Sequence, residues 1–262
     1  MTTQWEFGLF GLLLAAGVFV SMLVLLEVGR RIGQWRAAMD PDAPRVEVGA
    51  MDGAVFALLG LLIAFTFASA ASRFDTRRQL AVEEANAIGT AYLRLDVLPP
   101  DAQPALREQF RQYVDARIAA YRSFPDLSAV KAELARAVRL QGEIWAQAVA
   151  ASRGEGTQSA RILVLPALNA MIDITTTRTV AARTHAPSIV YAMLVVLMLA
   201  SSLLAGHRMA EGKRRSWIHV VGFALTMAFA LYVIVDLEFP RVGFIRLDAY
   251  DQLLVDVRAS MK

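Results

Sequence analysis

Four runs free of Asp, Glu, Lys and Arg decide most of what this chain can become: Phe7 to Leu26, Gly53 to Ala71, Ile189 to Gly206 and Trp217 to Val235. At about 1.5 Å per helical residue, each reaches across roughly 30 Å of hydrocarbon. Lipid offers nothing to an open backbone N–H or C=O, so such runs must be helices. Trp217 and Tyr232 stand near the ends of the fourth run, where interfacial aromatics belong. The first run is expected to remain in place rather than be cleaved as a signal. The residues before it, MTTQWE, carry no Lys or Arg, and no cleavage-type flank follows.

Several function classes drop out early. The chain is 56% hydrophobic, and the excess sits in the four runs rather than in a dispersed core. A net charge of +3 with scattered arginines gives no nucleic-acid footprint. The absence of cysteine rules out disulfides, cysteine-ligated zinc and a thiol nucleophile. His185, His207 and His219 stand apart, with no metal-ligand spacing, nucleophile–base pair or phosphate-binding glycine loop. No enzyme activity, catalytic residue, metal or cofactor is expected.

Charge also suggests an orientation. Arg30, Arg31, Arg36 and Arg45 follow the first span, and Arg208, Lys213, Arg214 and Arg215 lie between the third and fourth. Both short segments lie on one side, which the positive-inside rule makes cytoplasmic. Arg73, Arg77, Arg78, Arg178 and Arg183 on the other face weaken the bias. The expectation is a multi-pass protein of a bacterial inner membrane, its long middle region extracytoplasmic.

That middle region reads as helical throughout. Nothing stronger than Gly89 interrupts Gly53 to Leu98 before Pro99 and Pro100, giving a helix roughly 70 Å long. Leu106, Phe110, Tyr113, Val114, Ile118 and Tyr121 make an apolar stripe that ends at Pro125. A further helix holds Val130, Leu134, Val138, Ile144, Trp145 and Ala148 and stops at SRGEG. From Thr157 a last helix approaches the third span, with a kink expected at Pro166 and Pro187 at the membrane entrance. Only RVGFIRL, Arg241 to Leu247, suggests extended structure, before a short terminal helix. The expected fold is an all-α membrane protein with four transmembrane helices. Residues 1–71 hold spans 1 and 2, 72–186 an extramembrane helical domain, 187–240 spans 3 and 4, and 241–262 a C-terminal tail.

The second span separates into two stripes on a helical wheel. Gly53, Ala57, Gly60, Ala64 and Ala68 form a small-residue stripe suited to close helix or subunit packing in lipid. Asp52, Val55, Leu59, Leu62, Thr66, Ser69 and Arg73 form a second stripe, acidic at one end, apolar in the middle and basic at the other. In a ring of copies this second stripe is the expected pore lining, with Arg73 concentrating anions at one mouth.

The stretch FTFASAASRFDTRRQLAVEEANAIGTAYLR, Phe65 to Arg94, resembles the bacterial bestrophin-like domain family. LNAMIDITTTRTVAARTHAPSIVYAML and LEFPRVGFIRL resemble its remaining blocks. True bestrophins are more distantly similar, through Phe65, Arg73, Phe74 and Arg78. The resemblance implies a bestrophin-like helical bundle with a helical domain between spans 2 and 3. It also implies a homo-oligomer, a pentamer in bestrophins, that passes small monovalent ions through a lipid bilayer. Bestrophins keep their helical domain in the cytoplasm, which opposes the charge-based orientation. The alternative is a non-conducting membrane scaffold or sensor whose helical domain binds a partner.

Other polar residues are expected to be structural. Arg77, Glu83, Arg94, Asn169, Asp173 and Arg178 form the expected polar network, Asn169, Asp173 and Arg178 reaching Arg77 or Arg94 across the bundle. Glu83 and Glu84, beside Asn86 and Thr90, are expected to be solvated or paired on the long helix. Asp236 and Glu238 are expected to form a solvated pair at the membrane edge.

Overall fold

A computed structural model describes residues 2–39, 49–124, 126–154, 156–210, 216–241 and 243–262, with side chains from residue 11 onward. Arg45, Lys213, Arg214 and Arg215 of the basic segments lie outside the described residues. So do the stop at Pro125, Glu155 of the SRGEG turn and Val242 of RVGFIRL.

The described residues contain helices and turns and no strand. The helices are α1 (Thr2–Met39), α2 (Gly49–Leu93), α3 (Gln103–Arg122), α4 (Leu127–Ala151), α5 (Gln158–Arg183), α6 (Ser188–Met209), α7 (Trp217–Glu238) and α8 (Asp248–Ser260). A 3-10 turn, Arg94–Val97, follows α2 and leads into extended Leu98 ahead of the two prolines. Pro166 lies inside α5, which continues through it. The segment expected to be extended is instead turn and bend at Arg241 and Gly243–Ile245. Arg241 is drawn into an ion pair rather than a ladder.

Four stretches are long and apolar enough to cross a membrane: Gly11–Met39, Gly49–Val97, Gln158–Met209 and Trp217–Glu238. Only 17–28% of their most apolar windows is buried within the chain. Leu13, Leu61, Phe65, Ile189 and Phe229 are all more than half exposed. In water that surface would cost about 25 cal/mol per Å², whereas lipid is its natural solvent.

The contacts divide the chain into two compact units. The membrane unit comprises Glu6–Ser72 and His185–Phe239. Met22, Leu59, Leu194, Met198, Ala224 and Ile234 are buried in it, and Phe56 meets Phe223 edge to face at 6.2 Å. α1 and α6 approach so closely that a methyl at Gly29 would strike Leu203 O and one at Gly206 would strike Leu26 O. Glycine is required at this crossing because backbone meets backbone.

The second unit comprises Arg73–Thr184 and Pro240–Lys262 with residues 2–5. Its core joins Ile88, Leu95, Phe110, Tyr113, Val114, Ile144, Leu168, Met171 and Leu254, all at most 0% exposed. Each such side chain contributes about 1.5–3 kcal/mol by leaving water. Asp126 caps α4, accepting from Ser128 N at 2.9 Å and Ala129 N at 3.1 Å. The C-terminal residue is held too, since Lys262 O accepts from Tyr92 Oη at 2.6 Å and from Arg111 Nη1 at 2.7 Å.

Candidate functional site

α2 keeps one face covered and the opposite face open along its whole length. Asp52, Leu59, Thr66, Ala70, Arg77, Glu84, Ile88 and Ala91 are buried. Gly53, Ala57, Gly60, Ala64 and Ala68 are exposed, and a methyl added at Gly53 or Gly60 would meet no atom within 4 Å. Beside this small-residue stripe run Leu58, Leu61 and Phe65, which are 52%, 52% and 66% exposed. The same open face continues past the span as Ser72, Thr76, Gln79, Glu83, Asn86 and Thr90.

Burial divides the stripe expected to line a pore. Leu59 is 1% exposed in a single chain, and burial can only grow when copies assemble. Asp52, Leu59 and Thr66 therefore pack within their own chain. Thr66 Oγ1 donates to Leu62 O at 2.7 Å, and Asp52 pairs with Arg208 at 3.4 Å. Val55, Leu62 and Arg73 are half-buried, and Ser69 is exposed. Arg73 takes part in an interaction within the chain. Only Asp52, Leu59 and Thr66 of the stripe are fully buried, and Asp52 finds its partner in Arg208.

The polar residues expected to form one network divide. Arg77 donates to Ala181 O at 3.1 Å and Thr184 O at 2.9 Å, which caps the C-terminus of α5 with a cation. Arg94 donates to Leu163 O at 2.8 Å, next to the carbonyl that Pro166 leaves without its helical N–H. Asn169 and Asp173 bond to each other at 2.9 Å on an exposed face and do not reach Arg77 or Arg94, whose guanidiniums take backbone carbonyls. Glu83 is exposed, so its neighbour holds the buried role instead.

Glu84 is 0% exposed and anchors a cluster drawn from four helices. Arg117 Nε of α3 donates to its Oε1 at 2.6 Å, while Arg178 of α5 and Tyr121 Oη share Oε2. Arg178 also meets Asp251 of α8 at 3.1 Å, and Arg241 grips the same aspartate with two bonds of 2.8 and 3.3 Å. The Tyr121 ring lies 5.1, 4.3 and 4.8 Å from the guanidiniums of Arg117, Arg178 and Arg241. Burial alone would raise the Glu84 pKa, but the charges and hydrogen bonds of Arg117 and Arg178 outweigh it and hold the carboxyl below the ordinary glutamate value. Burial pushes the Tyr121 and Tyr113 phenols up. Sequence reading missed Arg117, Tyr121, Arg241 and Asp251 as partners. The available signal was the seven-residue step from Arg77 to Glu84 to Ala91, which keeps one face.

Asp236 and Glu238 are not solvated, in contrast to the expectation: they are 6% and 0% exposed. Glu238 accepts from Ala186 N at 3.0 Å and lies 3.3 Å from His185 Nδ1, whose ring stacks on Phe239 at 4.7 Å. Asp236 receives Tyr232 Oη at 3.3 Å. A buried carboxylate at a helix end needs such donors, and the residues just before α6 supply Glu238 while Tyr232 of α7 supplies Asp236.

A bestrophin-like domain model matches residues 18–249. The fold matches crystal structures of a bacterial bestrophin homologue from Klebsiella pneumoniae. One single-substitution variant has a TM-score of 0.66 at 15% identity, covering 92% of this chain and 99% of that one. A second variant has a TM-score of 0.65 at 15% identity, covering 94% and 98%. The structure phased on zinc has a TM-score of 0.64 at 15% identity, covering 92% and 98%. No curated protein matches the chain. With the family model spanning most of its length and the helical architecture in agreement, the chain belongs to the bestrophin-like domain family.

Proposed function

We propose that copies of this chain assemble in a bacterial inner membrane into a ring that conducts small monovalent ions, with the open face of α2 lining the passage. The observation that carries this reading is the continuity of that face, apolar in the span and polar beyond it. Gly53, Ala57, Gly60 and Ala64 suit close approach of a neighbouring copy, because small residues let backbones pack in lipid. Leu58, Leu61 and Phe65 supply an apolar constriction of the kind that gates by wetting. Residues 1–71 and 187–240 act as the membrane part, 72–186 as the helical domain and 241–262 as the tail, with the helical domain extracytoplasmic.

The charge on the open face favours cations. Glu83 contributes one exposed carboxylate per copy, whereas Arg78 pairs with Asp75 at 2.9 Å and Arg77 is buried. A ring of carboxylates raises the local concentration of cations, more at low salt. Purified protein in planar bilayers should carry current, and Glu83→Lys should shift the reversal potential towards anions under a salt gradient. An unchanged reversal potential with an intact current would remove Glu83 from the passage.

A further inference from the structure

A cavity of about 300 Å³ opens beside the Glu84 cluster in the second unit. Its wall includes Tyr121, Arg122, Arg241, Arg246, Asp248 and Asp251. We propose that this cavity binds a small oxyanion, a carboxylate or phosphate group carried on a body no larger than a small metabolite or a lipid headgroup.

Charge balance carries the argument. In the cluster behind the wall, the guanidiniums of Arg117, Arg178 and Arg241 share two carboxylates among the described residues, Glu84 and Asp251. One positive charge is left without a carboxylate, in a cluster whose Arg117, Arg178 and Arg241 side chains are 4%, 8% and 22% exposed. An uncompensated charge in low dielectric is costly, and an anion on the cavity side relieves it.

The wall itself adds to the excess. Arg246 pairs with Asp248 at 2.8 Å, and among the described residues no carboxylate pairs with Arg122. Arg122 and Arg246 are exposed at the rim, so their forks can turn onto a ligand without leaving a core. Guanidiniums bind carboxylate and phosphate through paired hydrogen bonds, a geometry ammonium groups lack. A cation is disfavoured in the same space, because Asp248 and Asp251 are both engaged by arginine. The volume lies at the small end of ligand pockets, which suits a compact anion.

The site joins the end of α3 to the segment after α7 and the start of α8, so a bound anion would hold the C-terminal tail against the bundle. This inference stands apart from ion conduction and is tested without current. Purified full-length protein in detergent is titrated calorimetrically with citrate, inorganic phosphate and dihexanoyl phosphatidate, against chloride at matched ionic strength. Saturable binding of citrate or phosphate supports the proposal and assigns a soluble ligand. Binding of phosphatidate alone supports it and assigns a lipid headgroup. Affinity should fall at least tenfold in Arg122→Ala/Arg246→Ala, whose exposed positions leave folding intact, and should be unchanged in Arg139→Ala on the exposed face of α4. No saturable binding by any probe, or equal affinity in the double variant, overturns it.

Discussion

Removing the Glu84 charge should cost this protein a large part of its stability. Glu84→Gln keeps the shape but leaves Arg117 and Arg178, whose side chains are 4% and 8% exposed, facing each other without their shared carboxylate. Asp251 still holds Arg178, so Arg117 bears the larger loss. Breaking a buried ion pair from one side costs roughly 3–5 kcal/mol. For a chain of this size that corresponds to a melting temperature lower by about 6–20 °C. Trp145 on α4 reports unfolding of this unit by fluorescence in detergent. Arg31→Ala provides the comparison. Its pair with Glu27 leaves Arg31 76% exposed, and loss of such a pair costs less than about 1 kcal/mol. The depressed Glu84 pKa fixes the sign with pH. The carboxylate's contribution is full above the ordinary value of 4.5 and is lost as pH falls through the lower folded value. Parent and variant should therefore converge only in strong acid. A Glu84→Gln protein that melts within 2–3 °C of the parent at neutral pH would refute the reasoning, since such a buried charge cannot be lost so cheaply.

Three further outcomes follow from the geometry. Gly206→Leu should abolish the close crossing of α1 and α6 and lower yield or stability severely, whereas Gly222→Leu, open within 4 Å, should be tolerated. Gly60→Leu, on the open face, should leave the protomer folded but change the size of the assembly by crosslinking or mass measurement; an unchanged assembly would mean that the small-residue stripe faces lipid. For sidedness, a cysteine at exposed Ser159 should react with a membrane-impermeant thiol reagent in intact cells and one at Ser216 should not, and the reverse pattern would place the helical domain in the cytoplasm.

The spans were legible because hydrocarbon length sets a threshold that composition alone can pass. The helical middle region was legible because Pro99, Pro100 and the stripe from Leu106 to Tyr121 punctuate it. What the wheel of α2 could not give was its sense. Two stripes of similar apolar character lie a fraction of a turn apart, and only packing decides which one turns inward. Polarity gives no guide there, because Asp52 and Thr66 find partners in their own chain, Arg208 and Leu62 O. Glu83 and Glu84 pose the same problem at its sharpest. They are adjacent and chemically alike, yet a rotation of about 100° sends one into solvent and the other between two arginines. Arg241 and Asp251 were beyond reach for another reason: besides each other, they meet Tyr121 of α3 and Arg178 of α5, which lie far away in sequence.

The most direct test of an ion passage along the open face of α2 is cysteine accessibility during conduction, in a chain that has no native cysteine. Single-cysteine variants Leu61→Cys, on the open face, and Leu59→Cys, on the buried face, are reconstituted in planar bilayers and exposed to a charged methanethiosulfonate. The account predicts an abrupt, irreversible change of current for Leu61→Cys and none for Leu59→Cys. A response at Leu59→Cys alone, or well-folded oligomers that carry no current at any voltage, would contradict it.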